Sequence, residues 1–413
     1  MTLQNKSLKR SITLPFLTLY GLGTIMGAGI FVLIGKVAGL AGLYAPIAYL
    51  IAAIVAGFTA FSYAELATRF PKSAGESVYV YEAFHISSLS ALIGWLVVLT
   101  GVVSAATMTR GLVGYIQIFI NLDATVIMLL KVSILTAIAI WGIKESILVA
   151  TIVTIIQILG LIFLLVNARE YLFTLPARWT ELVPNGSTDV WLGIFLGVFL
   201  AFYAFIGFED MVNVVEEVKQ PKQSMPLAII LALIIATFFY VIVAITAVLA
   251  VSPKVLANST APFATILEYK GGHYPAIISL ISLVAVVNSA LAQLIMASRV
   301  IYGMSAQNIG PKVLANINQI TQTPIMATIL AGMLILLFAL WLPLVVLAKL
   351  TSFIILGVFL LVNIALVWVK KTDVQPVAGP CYAMQVPIIG AVLCLALMIL
   401  QIYAVTIGVV GSH

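Results

Sequence analysis

Charge is scarce in this sequence. Asp, Glu, Lys and Arg make up 8% of its 413 residues, where soluble domains carry about 25%, so a water-covered surface cannot be built from it. Histidine is scarcer still: His85, His273 and His413 are the full complement, and all three lie outside the long apolar stretches. That excludes an H-E-x-x-H zinc site and a histidine base beside a buried nucleophile. No aspartate pair stands in mid-stretch either, so an enzyme is not expected and no catalytic residue is assigned. Cys381 and Cys394 are too few and too near the end for a disulfide framework or a metal cluster. No cofactor is implied.

What the chain has in quantity is apolar length. Hydrophobic residues make up 63% of it, and the mean hydropathy is +1.21. Apolar runs of about 20 residues recur, the length a helix needs to cross a bilayer, without the alternation of barrel strands. An all-α polytopic membrane protein in contact with the lipid bilayer follows. Windows of spanning length fall at 13–36, 40–66, 86–118, 123–142, 146–167, 189–215, 226–251, 276–305, 324–342, 345–369 and 386–410, which makes eleven spans behind a short tail, 1–12. The start MTLQNKSLKR meets the first window with no small-residue cleavage site, so that window reads as a retained span. The net charge of +6 is scattered singly, which speaks for topology and against nucleic acid. A cytoplasmic N-terminus puts eleven Lys and Arg in inner segments and five in outer ones, the expected orientation in the cell membrane. Lys131 and Lys349, inside or at the ends of spans, are expected to snorkel to an interface.

Glycine is the anomaly. The stretch GLGTIMGAGIFVLIG, residues 21–35, carries five glycines, although each costs a helix interior about 1 kcal/mol relative to alanine. Pairs such as Gly23/Gly27, Gly35/Gly39 and Gly193/Gly197 fit the small-xxx-small pattern of close helix packing. Gly27-Ala28-Gly29 does not, because consecutive small residues go all round a helix. A phosphate loop is also a poor fit, since no Lys-Ser/Thr follows. Five spans later, Ala204-Phe205-Ile206-Gly207 runs into Phe208-Glu209-Asp210. Two interrupted spans at matching places in two sets of five point to a secondary transporter built from inverted repeats. A helix unwound at mid-membrane offers free amides to an anion and free carbonyls to a cation, and an amino acid zwitterion carries both charges.

The segments IMGAGIFVLIG, SYAELATRFPKSAGESVYVYEAF, YAFIGFEDMVNVVEEVKQPKQSMPLAI, VNSALAQLIMASRVIYGMSAQNIGP and LVNIALVWVKK resemble, in this order, successive motifs of the amino acid/polyamine/organocation transporter superfamily. The resemblance runs from the first span to the tenth. It implies a leucine-transporter-type fold with a 5+5 inverted repeat and broken helices 1 and 6. The repeats would occupy 13–167 and 189–369, followed by an additional helix at 386–410. It implies a substrate carboxylate on the backbone at Gly27, Ala28 and Gly29, and an ammonium facing the carbonyls of Ile25, Tyr203 and Ile206. Tyr203 with Phe202 would form an occluding gate, and Phe205, Gly207 and Thr100 would line the side-chain pocket. Packing alone also accounts for these aromatics.

The sequence departs from the family pattern in span 5. Where relatives often carry a lysine that takes the place of a sodium ion, Gln157 stands here. Sodium held with Asn288 or Ser289, water, or nothing could fill the gap, and an Asn-Ser pair also serves as an interhelical hydrogen bond. Glu209, two residues past the second break, is the candidate for proton coupling or gating; the plainer reading is an inner-gate bond, for instance with Arg299. The coupling ion is therefore left between proton and sodium. No acid falls on the middle of spans 1, 3, 8 or 10, so a neutral amino acid is the expected substrate, with a cationic amino acid or polyamine as the alternative. A channel would want a symmetric ring of carbonyls or charges. The presence of a partner subunit is left open.

Overall fold

The computed structural model describes residues 10–72, 75–141, 147–268, 274–306, 310–318, 320–372 and 379–406. Residues 1–9 of the expected tail, residues 407–410 of the last window, and His273 and His413 lie outside them.

Among the described residues the secondary structure is helical apart from one parallel bridge, Ile12 to Val218. Nine stretches are long and apolar enough to cross a membrane, and two shorter apolar helices, Leu14–Ile25 and Ile325–Trp341, complete the set. Span 1 is Leu14–Ile25 followed, after a break, by Ala28–Phe31 and Ile34–Ala41; span 2 is Ala45–Arg69. Spans 3, 4 and 5 are Ser87–Gln117, Ala124–Trp141 and Ile147–Asn167. Span 6 is Thr188–Phe202, continued as 3-10 turns at Tyr203–Phe205 and Glu209–Glu217. Spans 7 to 11 are Pro221–Ala250, Tyr274–Ala306, Ile325–Trp341, Leu344–Thr372 and Gln385–Thr406. The face from which span 1 starts is called the N-terminal face. A short helix, Gly75–Phe84, joins spans 2 and 3 on that face, and Pro253–Asn258 and Pro262–Glu268 join spans 7 and 8 on the other.

Small residues let the spans approach. A side chain at Gly35 would overlap the carbonyl of Leu256, and one at Gly39 would come within 2.6 Å of Ala257. Gly193 and Gly197 meet Leu40 and Ala41 in the same way. These pairs are packing faces. Lys131 departs from expectation: it is 6% exposed and its amine has no hydrogen-bond partner. Span 4 packs against spans 3, 8 and 9, and the side chain is enclosed there instead of snorkelling. Lys349 is buried as well. On the N-terminal face, Glu65 is fully buried and takes Lys370 at 2.7 Å, Arg69 at 2.8 Å and the amide of Tyr382 at 3.0 Å. That carboxylate ties span 2 to span 10 and to the segment before span 11.

Candidate functional site

Span 1 breaks where the glycine pattern predicts. Met26 turns out of the helix at ψ 53° and Gly27 at ψ −141°, and the helix restarts at Ala28. Val32 and Leu33 keep near-helical dihedrals, with ψ of −42° and −8°, so 28–41 continues as one irregular helix. The amides of Ala28, Gly29 and Ile30 open that helix and have no carbonyl four residues back in helical register.

Span 6 breaks at Ile206 (ψ 132°) and Gly207 (φ 128°). The positive φ suits only glycine, and there is no room either: an added Cβ would lie 2.5 Å from the carbonyl oxygen of Thr24. The two breaks therefore rest on each other. Thr24 donates its hydroxyl to the Gly207 carbonyl at 2.8 Å, while the Gly207 amide donates to Glu209 Oε2 at 2.8 Å. Gly29 packs so closely on Ala204 that an added Cβ would overlap its backbone. Span 6 itself therefore needs the space that a side chain at position 29 would take.

Tyrosines of three other spans take up carbonyls that the break releases. Tyr240 of span 7 lies with its hydroxyl 2.8 Å from the Ile25 carbonyl and 2.9 Å from that of Ala204. Tyr49 of span 2 donates to the Gly29 carbonyl at 3.4 Å, and Tyr115 of span 3 donates to that of Phe31. A buried carbonyl without a donor is costly, so these hydroxyls hold the broken backbone in shape. None of the three was singled out by sequence, since a tyrosine in an apolar span looks like any packing aromatic.

The expected site residues divide accordingly. The Ile25 carbonyl also accepts the Gly27 amide at 2.8 Å, and that of Tyr203 accepts the Ile206 amide at 3.3 Å. The Tyr203 side chain crosses to span 3 and pairs with Ser104 at 2.9 Å. Phe202 and Phe205 turn elsewhere, onto Phe359 of span 10 and Tyr240 of span 7. Thr100 lies one turn short of Ser104 and bonds its own helix at Leu96. Gln157 is fully buried with its Nε2 3.5 Å from the Ala285 carbonyl and its Oε1 without a partner. Three residues earlier on span 5, Thr154 stands against Gly23 of span 1.

A cavity of about 30 Å³ lies between spans 1, 5 and 8, lined by Thr24, Thr154, Asn288, Ser289 and Gln293 among others. One or two waters fill such a volume. Ser289 reaches from it toward the first break, where an added Cβ on Gly27 would lie 2.9 Å from its hydroxyl. Gln293 donates to Asp210 at 3.0 Å. Arg299 is exposed, and the bond that Glu209 makes runs to the Gly207 amide. Glu76, in the helix Gly75–Phe84, is buried and accepts the Tyr63 hydroxyl at 3.1 Å; burial pushes its carboxyl up to about 7.

Two broken helices packed break against break, within a bundle that among the described residues holds nine long and two shorter apolar helices, give the arrangement of the leucine-transporter-type fold. The crystal structure of MhsT in complex with L-phenylalanine superposes with a TM-score of 0.68 over 97% of this chain and 100% of that one, at 13% identity. The chain belongs to the amino acid permease family, whose profile matches residues 12–411. It is 31% identical to the branched-chain amino acid permease BcaP of Bacillus subtilis over 95% of this chain and 88% of that one. It is 30% identical to the methylthioribose transporter of the same organism, over 96% and 89%. The mitochondrial cationic amino acid transporter 3 of Arabidopsis thaliana is 29% identical over 89% of this chain and 63% of its own length.

Proposed function

We propose that this protein is a secondary active transporter that carries neutral amino acids across the cell membrane by alternating access. The observation that carries the reading is the meeting of the two breaks, which puts the opening amides of Ala28 and Gly29 beside Ala204 of span 6. An α-carboxylate suits those amides, and the Ile206 carbonyl suits an ammonium. The breaks open the first span of each set of five, which supports inverted repeats over 13–167 and 189–369. The excess of Lys and Arg in segments on the N-terminal face supports a cytoplasmic assignment for that face.

Neutral cargo follows from where the acids are spent. Glu65 is held by Lys370 and Arg69, Glu209 by the Gly207 amide, and Asp210 by Gln293. The side-chain space beside Tyr203 presents hydroxyls, Ser104 foremost. The similarity to BcaP agrees with an apolar side chain, while that to the cationic amino acid transporter keeps an arginine-like substrate as the second reading. A thermal-shift screen of the twenty amino acids on the purified protein, with and without sodium, separates them. Branched-chain or other neutral amino acids should raise the melting point; stabilisation by arginine or lysine alone would reverse the assignment. The cavity beside Ser289 is the place for a sodium ion if that screen shows sodium to matter.

A further inference from the structure

A groove of about 500 Å³ lies on the N-terminal face, away from both helix breaks. One wall is the first turns of span 7, from Lys222 to Ile230, and the other is Gly379, Pro380 and Tyr382 of the segment before span 11. That second wall is fixed from behind. An added Cβ on Gly379 would come within 2.8 Å of Thr68 in span 2. The Tyr382 amide donates to Glu65, its carbonyl accepts Lys370, and its ring stands edge-on to Phe61 at 4.9 Å.

The groove continues into the membrane as an apolar stripe. Leu227 is exposed, and so are Ile234 and Phe238, seven and eleven residues further along the same side of span 7. Span 2 runs beside them: Gly57 faces Leu233, and Leu50 and Ile54 are exposed on the face that ends at Phe61. From Leu227 to Phe238 the stripe is about 16 Å long, about half the hydrocarbon core of a bilayer, which is the reach of an acyl chain in one leaflet.

Its polar end has one sign of charge. Among the described residues the groove is lined by a single charged side chain, the exposed Lys222, and by no acid. The nearby cations Lys370 and Arg69 are held by Glu65. Gln223 and Tyr382 add neutral polar groups. Pro226 has no N–H for the carbonyl four residues back, so the Lys222 carbonyl lacks its helical donor at the same rim. A cation and hydroxyl-accepting groups at one end of an apolar stripe one leaflet deep are complementary to an anionic amphiphile.

We propose that this groove binds one anionic phospholipid of the leaflet on the N-terminal face. The phosphate lies on Lys222, the headgroup hydroxyls lie beside Gln223 and the Lys222 carbonyl, and an acyl chain runs along Leu227, Ile234 and Phe238. The bound lipid bridges span 7, whose Tyr240 reaches the first break, and the segment that Glu65 ties to spans 2 and 10. The site does not depend on which cargo the protein carries.

Native mass spectrometry of the full chain in detergent tests it, with phosphatidylglycerol and phosphatidylcholine of the same acyl chains as probes. One phosphatidylglycerol should bind about fivefold more tightly than phosphatidylcholine, the worth of one lysine at a lipid surface. Lys222→Gln should erase that preference, Leu227→Trp should weaken both lipids by filling the apolar end, and Lys254→Gln, exposed on the other face, should change neither. Gln223→Glu, on the same rim, serves if Lys222→Gln does not fold. Millimolar glycerol phosphate or inorganic phosphate should not displace the lipid. Equal binding of the two lipids, a preference that survives Lys222→Gln, or displacement by free phosphate overturns the proposal. So does a sterol that outcompetes phosphatidylglycerol, or a second copy of the chain found in the groove as a dimer that Leu227→Trp dissociates.

Discussion

Thr24 and Gly207, 183 residues apart in sequence, are joined by a hydrogen bond of 2.8 Å from the threonine hydroxyl to the glycine carbonyl. It links the two breaks directly, so whatever moves one helix half reports to the other. Thr24→Val keeps the shape and removes the donor. A loss of about 1–2 kcal/mol of stability is expected, with a larger fall in transport, while Thr24→Ser keeps both. Melting in detergent and uptake by proteoliposomes check this; a valine variant that transports at the wild-type rate would remove the link from the mechanism.

Gly29 is constrained by Ala204, whose backbone occupies the space a side chain would need. Gly29→Ala is therefore expected to lower the melting point as well as transport, and Gly207→Ala to do the same, with a backbone strain of about 1–3 kcal/mol at φ 128°. If Gly29→Ala melted like the wild type and still failed to transport, the glycine would serve the ligand alone.

Tyr240→Phe keeps the ring that packs on Phe205 at 5.2 Å and removes the hydroxyl shared by the carbonyls of Ile25, which keeps the Gly27 amide, and Ala204. The expected cost is about 1–3 kcal/mol, read from thermal or denaturant unfolding in detergent. A neutral result would mean that water replaces the hydroxyl.

The breaks were legible in sequence because glycine and polar residues inside an apolar span demand a reason, and the windows were legible because a bilayer fixes helix length. The window 86–118 became Ser87–Gln117 and 324–342 became Ile325–Trp341. What holds the breaks was not legible. Tyr49, Tyr115 and Tyr240 act through contacts set only by tertiary packing, and a window of spanning length passes over Gly75–Phe84, a helix of 10 residues. Glu76 was overlooked for that reason: it sits in a polar connection, where a carboxylate ordinarily meets water. Ser104 and Thr154, one helical turn from Thr100 and Gln157 on spans 3 and 5, meet Tyr203 and Gly23 through contacts that alignment by motif does not reveal.

Glu76 makes stability depend on pH in a defined direction. The folded chain holds its proton up to about pH 7, while the unfolded chain releases it above about 4.5. The contribution is thus complete below about pH 4.5, declines as pH rises, and is gone above about 7, with a ceiling of about 3 kcal/mol. The melting point in detergent should fall across that window, and Glu76→Gln should flatten the fall. A wild-type melting point that rises from acid to neutral pH would mean that other groups dominate.

The central claim is that paired helix breaks carry an amino acid by alternating access, and counterflow tests it most directly. Proteoliposomes loaded with unlabelled L-leucine and diluted into trace L-[¹⁴C]leucine should accumulate label transiently above its external concentration, more slowly with Thr24→Val and much less with internal L-arginine in place of leucine. Label that only equilibrates, at a rate that does not saturate and ignores the internal amino acid, would contradict a carrier.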